Sequence, residues 1–77
     1  MSADTRLRNL VIDQLGVEDD EITNDASFTD DLGADELDVV ELIMMVEVEF
    51  NLEIDDDIAD TLDTFGKLLT YIEETAK

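Results

Sequence analysis

Across residues 35–51 the apolar side chains return with a helical period. Val39, Leu42, Ile43, Val46 and Phe50 stand at i, i+3, i+4, i+7 and i+11. That spacing lays a single apolar stripe along a helix, and such a stripe has to be covered by other elements. Asp35 is a fit N-cap. Asp38, three residues on, resembles a capping box with Asp in the place of Glu, and Asn51 is a reasonable stop. Off the stripe lie Leu37, Val40, Met44 and Val48, interleaved with Asp38, Glu41, Glu47 and Glu49. The helix therefore carries a second face, mixed apolar and acidic, where a merely solvated helix would be polar.

The rest of the chain supplies the cover. Leu7, Leu10, Val11 and Leu15 recur at helical spacing behind Ser2 or Asp4 as cap, and Gly16 is a fit C′ residue. Arg6 and Arg8 sit at the wrong end of that helix for its dipole and are read instead as answering the acidic body of the protein. Val17 to Ala34 forms a long connection in which Ile22, Phe28 and Leu32 are isolated apolar residues, read as pins to the core. A short helical turn fits within it, and Asp30-Asp31-Leu32-Gly33 reads as the turn that ends it. Leu52 and Ile54 follow the second helix. Asp55-Asp56-Asp57 opens a brief helix carrying Ile58 and Leu62 at i, i+4. Thr64 caps a last helix with Phe65, Leu68, Leu69 and Ile72, whose end, Tyr71 to Lys77, is expected to fray. No segment alternates with period two and no repeat is present. The expected fold is all-α, a small four-helix bundle of three main helices and one short one with a long first loop, forming one domain over residues 1–77.

Charge and composition restrict function sharply. The chain has 23 Asp and Glu against 4 Lys and Arg, a formal net charge of −19, and no Cys, His, Trp or Pro. Disulfide scaffolds, His/Cys zinc sites, cysteine nucleophiles and histidine acid–base schemes are excluded. Nucleic acid and anionic membranes are poor partners for such a carpet of carboxylates, whereas basic protein patches are good ones. Leu42 to Val46, the longest apolar run, is too short to span a bilayer, so no membrane insertion is expected. Met1 to Asp13 lacks the apolar stretch of a secretory signal, so a cytoplasmic protein is expected. A monomer is the expected state.

The adjacent carboxylates Asp19-Asp20, Asp30-Asp31 and Asp55-Asp56-Asp57 invite two chemical readings. Paired carboxylates for glycoside hydrolysis must face each other across a cleft, and a bundle of this size is expected to have little room for one. An enzyme is not expected. Hard cations take oxygen ligands, but the D-x-[DN]-x-[DN]-G calcium-loop pattern is absent. Weak divalent binding as charge relief is expected, with no specific metal site. Calcium buffering is a third and weaker functional option.

A more specific signal lies at Phe28-Thr29-Asp30-Asp31-Leu32-Gly33-Ala34-Asp35-Glu36-Leu37-Asp38-Val39-Val40-Glu41-Leu42. This run resembles the signature of the acyl carrier proteins of type II fatty acid synthesis, roughly F-x-x-D-L-G-A-D-S-L-D-x-V-E-L. Val11 to Val17, Glu49 to Ile54, Thr64-Phe65-Gly66-Lys67 and Tyr71-Ile72 are similar to further stretches of that family. The resemblance implies a helical carrier that bears acyl intermediates on 4′-phosphopantetheine, joined through a phosphodiester to the serine of D-S-L. Here that position is Glu36. A carboxylate cannot stand in for the hydroxyl, and neither Ser27 nor Thr29 matches the position, so no covalent arm is expected. Glu36 falls at N1 of the second helix, where an acid suits the free N–H groups and the dipole. Alternatively it mimics the charge of the modified form without the arm.

By the same resemblance, Asp35, Leu37, Asp38, Val40, Glu41, Met44 and Glu47 form the partner-binding face that meets basic patches of fatty-acid-synthesis enzymes and acyltransferases. Val48 stands where the family commonly has an acid, and Lys67 where it has Asp. The family also shelters its acyl chain between the helices. Val39, Leu42, Ile43, Val46, Ile54, Ala59, Leu62, Leu68 and Ile72 are the candidate lining, and equally are simply core. Two functions follow. One is a carrier whose attachment residue is altered. The other is a non-carrier acidic module that docks on carrier-protein partners and regulates or competes with them.

Overall fold

The computed structural model describes residues 1–75. Four α-helices follow in order: α1, Ala3–Leu15; α2, Glu36–Phe50; α3, Asp56–Ala59; and α4, Phe65–Thr75. The expected all-α architecture of three main helices and one short one is the observed one. Local chemistry sets most of the boundaries. The Ser2 hydroxyl accepts from the Thr5 N–H, and α1 closes on Gly16 at φ 67°, a left-handed position that glycine takes without strain. Asp35 and Asp38 form the reciprocal capping box: the Asp38 N–H donates to Asp35 Oδ1 (2.8 Å) and the Asp35 N–H to Asp38 Oδ2 (3.3 Å). Asn51 ends α2 at φ 54°. The Thr64 hydroxyl accepts from the Lys67 N–H at the start of α4.

The helices pack around one apolar cluster, α1 lying against both α2 and α4. Leu42, Ile43, Val46 and Phe50 of α2 are buried, as are Leu7 and Val11 of α1 and Phe65, Leu68, Leu69 and Ile72 of α4. Val39 lies at the edge of its stripe and is only half-buried. Among the described residues no polar or charged residue is fully buried, so the charge of this protein is carried entirely at its surface.

The long connection is fastened at several points. Ile22, Phe28 and Leu32 are buried as pins, and a 3₁₀ turn forms at Asp19–Glu21. Ala26 and Ala34 are buried with them. Arg8 reaches across from α1 to donate to the backbone carbonyls of Asp19 (3.2 Å) and Ile22 (2.8 Å), with its guanidinium 5.0 Å from the Phe65 ring centre. Arg6 pairs with Glu49 at 2.8 Å and lies over Phe50, which ties α1 to the end of α2. The two early arginines thus answer acids, backbone carbonyls and ring faces across the fold. Farther along, Phe28 N–H donates to Asp63 C=O, Phe65 N–H to Ala26 C=O and Gly66 N–H to Asn24 C=O, strapping the loop onto the start of α4.

Two expectations need correction. Ile58 and Leu62 do not share a helix: α3 stops at Ala59, and Leu62 is buried from the turn that follows, where i→i+3 hydrogen bonds replace the helical ladder. The run of three aspartates helps the dipole at the start of α3, but its fourth acid, Asp60, falls at the end of the helix, where the dipole disfavours it. The last helix is regular through Thr75, beyond the expected fraying point at Tyr71, because Ile72 is anchored in the core. Residues 76 and 77 of that stretch lie outside the described residues.

Candidate docking face and cleft

The capping box fixes where the second helix begins, and so places Glu36 at its first turn, exposed to solvent. Beside it opens a cleft of about 680 Å³ between α2, α3 and the loop at Phe28 and Thr29. Val39, Ile43, Ile54, Ala59 and Leu62 supply apolar lining, and Glu36, Glu47, Asp56, Asp60 and Asp63 supply carboxylates. The expectation of little room for a cleft is therefore corrected. Four-residue α3 is too short to cover the flank of α2, and the uncovered flank remains open. The candidate lining is corrected as well. Leu42, Val46, Leu68 and Ile72 do not reach this cleft but close the core behind it, whereas Val39, Ile43, Ile54, Ala59 and Leu62 face it. The stripe on α2 is split lengthwise, one side sealed and the other lining the cleft.

On the outward side of α2, Leu37 is 64% exposed, Val40 49% and Met44 58%, with Glu41 exposed among them. Asp35 and Asp38 sit at the helix start, each with one carboxylate oxygen taken by the capping box. Val40 and Met44 also border the cleft, so the face and the cleft meet along one edge. Glu47 differs from the rest. It is half-buried, and its Oε2 accepts from the Ile54 N–H at 2.8 Å. Its carboxylate holds the loop that forms the cleft wall, so only part of it faces outward. Sequence reasoning did not find this contact. The nearest signal was an acid one turn before a helix end, ahead of a loop with an isolated Ile.

No lysine or arginine lies on α2, and Arg6 of α1 pairs with Glu49 near its end. At the cleft, Asp63 accepts a hydrogen bond from the Lys67 ammonium (3.0 Å), and this bond and charge hold its carboxyl below the ordinary range. Lys67 thus offsets one acid of the rim, as an i,i+4 pair. Sequence reasoning also missed Phe28, Thr29, Asp56, Asp60 and Asp63 as parts of the cleft, since their spacing carries no periodic signal. Among the described residues, no three carboxylates gather into a group fit to hold a metal ion, and no helix is long and apolar enough to cross a membrane.

Of the two upstream hydroxyls, that of Thr29 shares the cleft lining with Glu36, and that of Ser27 does not. Ser27 Oγ accepts from the Asp30 N–H (3.2 Å) and lies 3.4 Å from the Thr29 hydroxyl. A family model described as "Phosphopantetheine attachment site" matches residues 5–72, from within α1 to within α4. The group of that family is 4′-phosphopantetheine, and such carrier domains are generally non-catalytic. At Glu36, the position that the sequence resemblance sets against the attachment serine, the side chain offers a carboxylate and no hydroxyl, so it does not fit covalent attachment. Because the match takes in the cleft, the α2 face and most of every long helix, this chain belongs to the phosphopantetheine attachment site family.

Proposed function

We propose that this chain is an acyl-carrier-like scaffold of fatty acid synthesis that docks on basic patches of synthase enzymes and acyltransferases and is not covalently loaded at Glu36. It acts as a soluble, monomeric carrier or interaction protein and not as an enzyme. The observation that carries this reading is the outward face of α2, where Leu37, Val40 and Met44 stand exposed among Asp35, Glu36, Asp38 and Glu41 with no cation between them. A few apolar side chains ringed by one sign of charge suit a transient interface with a basic partner: the charge steers the encounter and the apolar residues supply the short-range contact. Glu47 contributes charge to the edge of this face while holding the Ile54 loop. The family match supports a carrier role in general, and Glu36 is what separates this chain from a loadable carrier.

Intact mass tests the proposal. This chain and Glu36→Ser are each incubated with coenzyme A and a broad-specificity phosphopantetheinyl transferase. Gain of one arm by Glu36→Ser alone is the expected result. Gain by the unaltered chain would overturn the non-loading reading. No gain by a folded Glu36→Ser would show that the docking face does not serve carrier enzymes, and would favour the regulatory module.

A further inference from the structure

The cleft beside Glu36 joins two kinds of surface. Val39, Ile43, Ile54, Ala59 and Leu62 line it with methyl and methylene groups, and Met44 adds an adaptable thioether at its edge. The carboxylates around them are not equivalent. Glu47 Oε2 already accepts from the Ile54 N–H, and Asp63 is paired with Lys67. Asp56 lies in the first turn of α3. Glu36 on α2 and Asp60 at the end of α3 are both exposed, and among the described residues neither has a cation or a hydrogen-bond donor against it. No lysine or arginine lines the cleft, and Lys67 reaches only Asp63 at its rim.

We propose that the cleft holds a free long-chain alkylammonium amphiphile, its tail against the apolar wall and its ammonium head at Glu36 and Asp60. The inference rests on the reading that Glu36 takes no covalent arm, and on nothing in the docking of α2. The head follows from the local charge. An ammonium carries three N–H donors and no acceptor, so it can bond carboxylates of both walls. A carboxylate or phosphate head would instead meet like charge on either side. The tail follows from the wall. Ile43, Ile54 and Leu62 are each buried by the fold yet still reach the cleft, and an aliphatic chain laid on them removes their remaining surface from water. The volume of about 680 Å³ falls within the roughly 300–1,000 Å³ of small-molecule sites.

The test titrates the full chain with decylammonium chloride below its micelle concentration, at fixed ionic strength, and follows backbone amide shifts by NMR. The expected result is shifts centred on Val39, Ile54, Ala59 and Leu62. Decanoate, with a tail of the same length and the opposite head charge, should give none at equal concentration. The open cleft buries a tail only in part, so each methylene should strengthen binding about two-fold and butylammonium should bind about sixty-fold more weakly. Glu36→Gln and Asp60→Asn should each weaken decylammonium binding by about three-fold or more. Glu73→Gln, an equal charge change on exposed α4, should leave it within about two-fold. Equal weakening by Glu36→Gln and Glu73→Gln would overturn the proposal, since the field of the whole chain and not the cleft would then hold the cation. Equal binding of decanoate or of butylammonium would overturn it too, as would shifts centred on Leu10 and Val48. Intact mass after treatment with coenzyme A and the transferase keeps the two readings apart. A chain that gains no arm and binds no decylammonium strikes the cleft ligand and leaves the non-loading reading standing. A chain that gains an arm strikes the reading on which the cleft ligand rests.

Discussion

Replacing Glu47 by Ala and by Gln separates its two roles. Residue 47 anchors the end of α2 three times over. Its carbonyl accepts from the Asn51 and Leu52 N–H groups, and its side chain from the Ile54 N–H. Only the last contact is lost on substitution. A hydrogen bond to a charged group contributes about 1.5–3 kcal/mol, and a stranded amide costs about 1–3 kcal/mol. The pair is only partly buried, so the lower part of each range applies. Removing one charge from a protein of net charge −19 relieves some repulsion, and Ala is the better helix former by a few tenths of a kcal/mol. The expected net loss for Glu47→Ala is about 1–1.5 kcal/mol, or roughly 4–10 °C in melting temperature for a domain of this size. Glu47→Gln keeps an oxygen acceptor in place with about half the strength of the charged bond, and charge relief offsets most of the rest, so its stability should fall within about 0.5 kcal/mol of the unaltered chain. Urea unfolding followed by circular dichroism at fixed ionic strength measures both, with Glu73→Gln on exposed α4 as the measure of charge relief alone. Amide exchange at Ile54 should quicken in the Ala variant only. Equal stabilities for the Ala and Gln variants would refute the reasoning, since Glu47 would then act through charge and not through the Ile54 contact.

Three further outcomes follow from the same structure. Glu36→Gln should cost well under about 1 kcal/mol, because Glu36 is exposed and interacts with little beyond the helix dipole; a loss of several kcal/mol in urea unfolding would reveal a missing partner. Gly66→Ala should destabilise by about 1–3 kcal/mol, since a Cβ there would come within 2.7 Å of the Asn24 carbonyl oxygen and lift the loop from α4; an unchanged unfolding midpoint would show that the loop yields freely. Raising NaCl from near zero to physiological strength should raise the melting temperature by roughly 4–8 °C, about 1 kcal/mol of relieved repulsion, with millimolar Mg²⁺ reaching the same plateau. A Mg²⁺ transition at micromolar concentration that NaCl does not reproduce would point to a built site and contradict the absence of a three-carboxylate cluster among the described residues.

The candidate site was legible in parts. Leu37, Val40 and Met44 could be placed outward from their spacing alone, because a helix turns its own residues to fixed directions whatever surrounds it. The cleft could not be read the same way. Its walls come from α2, from α3 and from the connection at Phe28 and Thr29, which are remote in sequence and share no period. Glu47 illustrates the difference. The periodic pattern sets it on the acidic face, while the path of the following loop turns its carboxylate to Ile54.

By itself the sequence determined where α1 ends, where α2 begins and ends, and where α4 begins. Gly16, the Asp35–Asp38 pair, Asn51 and Thr64 act on backbone groups within a few residues, and such caps need no tertiary partner. It also determined that Ile22, Phe28 and Leu32 would be buried, since isolated large apolar residues in a polar run have nowhere else to go. Only the tertiary structure decided that Ala26 and Ala34 are buried too, that Arg8 fastens the loop, and that Leu42 and Val46 are sealed while Val39 and Ile43 face a cleft. Alanine carries little hydrophobic signal, an arginine on a helix does not declare its partner, and one stripe does not say which of its edges will be covered. Those outcomes depend on how far α3 and the long loop reach across α2, a matter of lengths and packing and not of local pattern.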